Sequence, residues 1–349
     1  MATHCPNPYQ DSPLWACDPI LNFKLKPSLV VDGQPLNSTG FRTHEFTKKS
    51  PSVYRILALG DSCTFGMLIT DKFEYIHEPY PMKLEMLIAE RIGSGKVEVL
   101  NAGTPGYNSY QGVMLLRSKL RGLHPDLITV RFGWNDHLMS RAGRDTFRET
   151  ESKVGRGVED ILMRTALYPF VLRLGLEVQA LRAPTNAKPT LGDIPKVWKP
   201  NVPLDQYKEN LRRIVALGRA QGSEVWLLTA PHAFDIAANV GKYDEFPNTM
   251  AAKTLMLFSA IPDYERFVEI HDSYNNAVRD VGADLGVPVV DMDAIYRMHK
   301  SEHLYTATDI PHPTQEGHNL EAETLYAKLL AEGLIKLPSR ESDEARRSR

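Results

Sequence analysis

Short, almost continuous apolar runs punctuate this chain, and stretches with helical spacing lie between them. Five of the runs predict buried strands: "RILALG" (55–60), "VEVLN" (97–101), "DLITVRFG" (126–133), "EVWLLTA" (224–230) and "VPVVDM" (287–292). A strand with one face in water alternates apolar and polar positions. A run that is apolar throughout fits a strand covered on both faces, as in a parallel sheet. Between the runs, Leu84, Leu87, Ile88, the stem of Arg91 and Ile92 recur with the period of a helix. So do Tyr207, Asn210, Leu211, Ile214, Val215 and Gly218, with Asp205 expected to cap that helix and Gly222 to stop it. A third long helix, "DYERFVEIHDSYNNAVRDVGADLG", ends at Gly286. Alternating strands and helices predict an α/β domain built on a parallel sheet. No repeat of solenoid or propeller period is present.

Three segments fall outside this alternation. Residues 1–50 are rich in turn formers and read as an N-terminal extension packing on the core, which then runs over 51–338. Residues 139–200 interrupt the pattern with a helical stretch broken at Pro169, followed by a polar segment holding Pro184, Pro189, Pro195 and Pro200. That insertion reads either as a helical cap beside the site or as a peripheral packing element. The tail 339–349, "SRESDEARRSR", is charged, nearly without apolar residues and expected to be disordered.

Charge and cysteine content narrow the partners. With 41 basic and 43 acidic side chains in 349 residues the net charge is -2, which favours neither nucleic acid nor an anionic membrane as the main partner. Three cysteines are too few for a disulfide scaffold: Cys5 and Cys17 could pair in an oxidising compartment, leaving Cys63 over. No apolar run approaches the roughly 20 residues that span a bilayer. The first residues, "MATHCPNPYQDSPLW", have no basic segment followed by an apolar one, so a cytoplasmic chain is expected as written. Removal of a targeting segment would make it secreted or periplasmic. Oligomeric state is not encoded in any of these features.

Polar residues with chemical potential cluster where the strands end, the edge at which parallel sheets gather ligands. In "ILALGDSCTFG" (56–66), Ser62 follows the first strand at the start of an expected helix, with Gly60 and Gly66 permitting tight turns. "LNAGTPGYNSYQG" (100–112) follows the second strand and offers backbone N–H groups. "VRFGWNDH" (130–137) follows the third and offers the Asn135 amide. "TDIPHPTQEGH" (308–318) follows the fifth, with Asp309 and His312 spaced so that the carboxylate can orient the imidazole and leave Nε2 as a base.

Four blocks in this order, "GDSCTFG", "NAGTPGYNS", "GWND" and "DIPHP", resemble the SGNH hydrolases, or GDSL esterase/lipase family, over roughly residues 51–335 without the insertion. The resemblance implies a flavodoxin-like three-layer α/β/α sandwich with a five-stranded parallel sheet. It implies Ser62 as nucleophile, His312 as general base and then acid, and Asp309 as the residue orienting His312. The oxyanion hole would comprise the Ser62 N–H, the Gly106 N–H and the Asn135 amide, with Gly103 the second candidate glycine. Asp61 reads as structural. "LNSTGFRTHEF" (36–46) is similar to an Asn-x-x-Gly-Phe-Arg run that precedes the first strand in bacterial members with an N-terminal extension, and residues 213–232 resemble the fourth strand and its helix.

The implied reaction is hydrolysis of a carboxylic ester carrying a small acyl group, such as acetyl on a carbohydrate, or of a short-chain lipid ester. A serine hydroxyl needs a base to become nucleophilic, and the intermediate needs donors for its oxyanion. No metal or organic cofactor is required. His299, His303, His312 and His318 show no zinc-ligand spacing. Trp134 either walls the substrate pocket or packs under its loop. His232 is a candidate substrate contact, the plainer reading being a solvated loop histidine. Cys63 reads as a small buried residue, Arg42 as a substrate contact or a structural ion pair, and His271 and Asn275 as packing residues. Two other functions fit parts of the pattern. An acyltransferase would use the same triad. A non-catalytic binding module could cradle a flavin phosphate on "GDSCTFG", but that leaves Asp309, His312 and Asn135 unexplained.

Overall fold

The computed structural model of the chain describes residues 14–18, 20–69, 73–138, 199–233, 264–299, 303–306 and 309–337. The expectations for Cys5, for nearly all of the 139–200 insertion and for the 339–349 tail lie outside the described residues.

Two small antiparallel hairpins come first: β1 (Trp15–Asp18) with β2 (Asn22–Leu25), and β3 (Val30–Val31) with β4 (Gln34–Pro35). The central sheet comprises β5 (Tyr54–Gly60), β8 (Val97–Gly103), β9 (Leu127–Arg131), β10 (Glu224–Leu228) and β11 (Val289–Val290). All its pairings are parallel, in the order β11-β10-β9-β5-β8. This is the flavodoxin-like order. The chain steps from β5 outward to β8, then returns across β5 to β9, so the loops after the first and third sheet strands flank one switch point.

Near-continuous apolar strands are explained by two cores. Leu57, Leu59, Val130 and Leu227 face one layer, with α3 (Ser109–Arg117), α5 (Leu204–Ala220) and α6 (Tyr264–Leu285). Ile56, Ala58, Trp226 and Leu228 face the other, with α2 (Tyr80–Arg91) and α8 (Gln315–Ala331). Shorter elements complete the frame: α1 (Ser62–Phe65), the hairpin β6 (Met67–Ile69) with β7 (Phe73–Tyr75), α4 (Trp134–His137) and α7 (Met292–Met298). The N-terminal hairpins join the main body: Leu21, Phe23 and Phe41 are buried in the first core.

Local chemistry shifts three boundaries from the sequence expectation. The helix after Ser62 is a single turn, because Gly66 adopts φ 85° and turns the chain into β6. Asp205 does not cap α5: Pro203 occupies the cap position, and Asp205 lies in the first turn, where its charge complements the helix dipole. The fifth strand shrinks to two residues, because Asp291 turns outward to cap α7 by accepting from Ala294 N.

A buried ion pair ties the layers together under the sheet edge. Arg131, the last residue of β9, donates to Glu321 of α8, and the Tyr296 hydroxyl of α7 donates to the same carboxylate at 2.9 Å. Glu321→Leu leaves the Arg131 cation buried without its counter-charge and is expected to cost about 3–5 kcal/mol in urea unfolding. Adding Arg131→Met should recover at least half of that loss; simply additive losses would contradict a coupled pair.

Candidate active site

The first loop is built around a one-turn helix. Asp61 caps it by accepting from Cys63 N at 2.9 Å, which is a structural task. Gly60 must be glycine, because a Cβ there would lie 2.7 Å from the Arg131 carbonyl oxygen. Asn101 of β8 donates to Thr64 O at 3.1 Å and accepts from Gly103 N at 2.9 Å, binding the turn to the neighbouring strand. Cys63 is buried, its thiol donates to Pro311 O at 3.2 Å, and burial pushes its pKa well up, so it is no reactive thiolate.

The loop before α8 closes on this turn. His312 Nε2 lies 2.8 Å from Ser62 Oγ, and His312 Nδ1 lies 2.8 and 2.9 Å from the two oxygens of Asp309. A carboxylate only accepts, so Nδ1 carries the proton and Nε2 is free to accept from the serine. Asp309 is fixed on its other side by Ile69 N of β6, which donates to Oδ2 at 2.5 Å. Ser62, His312 and Asp309 are all buried. A hydroxyl, a base and an orienting carboxylate in this order can transfer a proton away from an attacking oxygen.

The candidate donors Gly106 and Asn135 lie on the second and third loops, after β8 and β9. Gly103 donates its N–H to Asn101, and a Cβ on it would lie 2.7 Å from the Thr64 backbone carbon. That commits Gly103 to strand packing and leaves Gly106, exposed at φ 82°, as the loop glycine. Asn135 donates one amide hydrogen to Tyr107 O at 3.0 Å, which aims its side chain, and its NH₂ carries a second. Tyr107 is itself held by its hydroxyl, which donates to Phe23 O of β2 at 2.7 Å.

Beside the third loop lies a set of neutral histidines. His271 Nε2 is 2.8 Å from Ala230 O and must donate, so its Nδ1 accepts from His137 Nε2, 2.8 Å away. Asn275 brackets the same Ala230, accepting from its N at 2.8 Å and donating to its O at 2.9 Å. His271 and Asn275 therefore hold the end of the fourth strand rather than only filling space. Trp134 is buried, its ring 4.3 Å from that of His271, and it also lines a narrow hollow with Asp61, Cys63, Arg131, Ala230, Pro231, Pro311 and Pro313. His232 is not a solvated loop histidine: it is 3 % exposed, and its Nε2 accepts from Arg297 at 3.2 Å. Burial holds His137, His232 and His271 well below the ordinary imidazole pKa. His318, in α8, accepts from Tyr80 N at 3.1 Å.

Several supporting groups escaped the sequence reading. The Ile69 N–H belongs to a backbone, and Asn101 and Arg131 lie within the quoted strand and loop runs without an assigned role. Among the described residues Arg42 makes no ion pair; it donates to backbone carbonyls. Among the described residues no group of His, Cys, Asp and Glu is arranged to hold a metal ion, and no helix is long and apolar enough to cross a membrane.

A serine, a histidine and an aspartate in this order at the carboxyl edge of a parallel sheet are the side chains that a serine hydrolase needs. The GDSL-like Lipase/Acylhydrolase family model matches residues 58–320, and the chain belongs to that family of carboxylic ester hydrolases. Similar solved structures include a lipase/acylhydrolase from Enterococcus faecalis, 17% identical, with a TM-score of 0.48 over 82% of this chain and 99% of that one. A catalytic mutant of Axe2, an acetylxylan esterase from Geobacillus stearothermophilus, is 16% identical, with a TM-score of 0.47 over 84% of this chain and 100% of that one. No curated protein sequence matches the chain.

The third loop has its own dependence on pH. Asp136 is buried and accepts from Ser109 N at 2.9 Å, Ser109 Oγ at 2.5 Å and Gly133 N at 3.1 Å. Burial outweighs these donors and pushes its carboxyl up to about 7 from 3.8. A raised carboxyl binds its proton in the folded state after the unfolded chain has lost it, so its contribution to stability falls as pH rises from about 4 to about 7. Melting temperatures of wild type and Asp136→Asn between pH 5 and pH 8 should show the wild type losing ground on the variant up to about pH 7. Parallel curves would contradict this.

Proposed function

We propose that Ser62 is the nucleophile of a serine esterase, with His312 as general base and acid and Asp309 as its orienting carboxylate. The observation that carries this reading is the continuous chain from Ser62 Oγ through His312 to Asp309, each link 2.8–2.9 Å long. Ser62 Oγ attacks the ester carbonyl carbon while its proton passes to His312 Nε2. The resulting oxyanion takes donors from the Ser62 N–H, the Gly106 N–H and the second Asn135 amide hydrogen. Collapse breaks the carbonyl carbon–alkoxy bond, and the Nε2 proton leaves with the alcohol. Water, deprotonated by the same nitrogen, then hydrolyses the acyl-enzyme and regenerates Ser62.

The narrow hollow beside the loops of Ser62 and His312, lined by Cys63, Trp134 and three prolines together with the buried Asp61 and Arg131, leaves no open depth for a long acyl chain, which supports a small acyl group. Acetyl on a carbohydrate, or a short-chain lipid ester, fits that description. Trp134 is then a pocket wall by its indole face, while His232 shapes the fourth loop from below.

On p-nitrophenyl acetate, Ser62→Ala should lose on the order of 10⁴-fold or more in kcat. Asn135→Ala should lose about 10²–10³-fold, as expected for one oxyanion donor. Full activity in Ser62→Ala would remove the assigned nucleophile. A kcat/KM higher for p-nitrophenyl octanoate than for the acetate would overturn the small acyl pocket.

A further inference from the structure

Arg42 lies outside the stretch matched by the family, which begins at residue 58, yet it reaches the turn that carries Ser62. Its Nη1 donates to Phe65 O at 3.0 Å and Gly66 O at 3.2 Å, and its Nη2 donates to Ile76 O at 2.6 Å. The guanidinium carbon also stands 5.6 Å from the Phe65 ring centre. Phe65 and Gly66 end α1, where a helix leaves carbonyls without internal partners. Ile76 follows β7, at the base of the β6–β7 hairpin. A planar fork holds its donors at fixed angles on separate nitrogens and can span two such groups at once, a geometry that the single nitrogen of an ammonium does not reproduce.

The far side of the same hairpin touches Asp309. Ile69, the last residue of β6, gives its N–H to Asp309 Oδ2, and Ile76 N donates to Gly66 O at 2.9 Å. The paired strands β6 and β7 thus run from the end of the Ser62 turn to Asp309, and Arg42 is the side chain that fastens their base to that turn.

The run "NSTGFR" (37–42) is folded to deliver this side chain. Asn37 Oδ1 accepts from Thr39 N at 3.1 Å and Phe41 N at 2.9 Å, and its amide donates to His44 O at 3.2 Å. Gly40 adopts φ 91° against the Leu25 carbonyl, and a Cβ there would lie 2.6 Å from that oxygen. Phe41 is buried in the core, which leaves Arg42 aimed at α1. The receiving side is shaped too: a Cβ on Gly66 would lie 2.9 Å from Arg42 Nη1.

We propose that Arg42 is a positioning residue for ester hydrolysis: by locking the end of α1 to the β6–β7 hairpin it sets Ser62 and Asp309 in register on either side of His312. The inference rests on the assignment of Ser62, His312 and Asp309 under the proposed function. A misplacement of about 1 Å between reacting groups can cost on the order of 10²-fold in rate, so a clamp that touches no substrate still governs kcat.

The test compares Arg42→Met, which removes the donors, with Arg42→Lys, which keeps the charge but not the fork. Competent sites are counted by titrating Ser62 with a fluorophosphonate, so that rates on p-nitrophenyl acetate are expressed per reactive site. In Arg42→Met, kcat per site should fall about 10–10²-fold with KM within about 2-fold, and Arg42→Lys should fall between the variant and the wild type. In Arg42→Ala, added methylguanidinium should restore part of kcat without changing the titrated fraction. A wild-type rate per titrated site in Arg42→Met overturns the proposal even if melting temperature and titrated fraction drop, since those mark a purely structural role. If Arg42→Met does not fold, Arg42→Lys decides: a wild-type rate per site overturns the proposal and a rate reduced by about 3-fold or more sustains it. Absence of Ser62 labelling in the wild type overturns the parent assignment instead, and is read separately from any Arg42 effect.

Discussion

One hydrogen bond, 2.8 Å between Ser62 Oγ and His312 Nε2, sets the requirements for everything around it. Its two residues are separated by 250 positions and sit on short loops, which are mobile by default. A geometry that tolerates errors of only a few tenths of an ångström must therefore be imposed by neighbours. The fold supplies them from both sides. The parallel sheet sets the roots of the loops, since β5 and β9 flank the switch point. Side chains then fix the tips: Asp61 and Asn101 on the Ser62 turn, Asp309 on His312, and Tyr107 on Asn135.

The same constraint accounts for the many buried polar groups near the site. Arg131, Glu321, Asp61, Asp136 and several histidines are almost fully buried at or under the carboxyl edge of the sheet. Burial of ionisable groups is unfavourable unless each is paired or neutral. Arg131 and Glu321 answer by pairing, and His137, His232 and His271 answer by remaining neutral and hydrogen-bonded. An apolar edge would be easier to bury, but it could not hold loop backbones by hydrogen bonds. The N-terminal segment extends this scheme beyond the matched region, through Phe23 O under Tyr107 and Arg42 behind Phe65.

Much of this is legible in the sequence. Both-face burial makes a strand apolar along its length, so the five sheet strands stood out, and the Ser62, Asn135 and His312 loops followed from strand ends. The misses have physical causes. Pro203 took the cap of α5 because a proline lacks the N–H that a helix start does not need, and the side chain of Asp205 was left to the dipole. The β6–β7 hairpin is three residues per strand, too short to show alternation. The contact it makes with Asp309 comes from a backbone N–H, which no residue type announces. Arg42 was visible as a residue, but its targets are carbonyls, which every residue carries. His232 reads as a substrate contact or a solvated loop histidine from its place after the fourth strand, yet its ring packs 4.8 Å from that of His271.

The measurement that bears most directly on the central claim is covalent labelling with a fluorophosphonate, followed by peptide mapping, in wild type and His312→Ala. The account predicts a single adduct on Ser62 in the wild type, formed at least about 10²-fold more slowly in the variant, because the hydroxyl is reactive only when Nε2 takes its proton. An adduct on another residue, or equal labelling of Ser62 without His312, would contradict it.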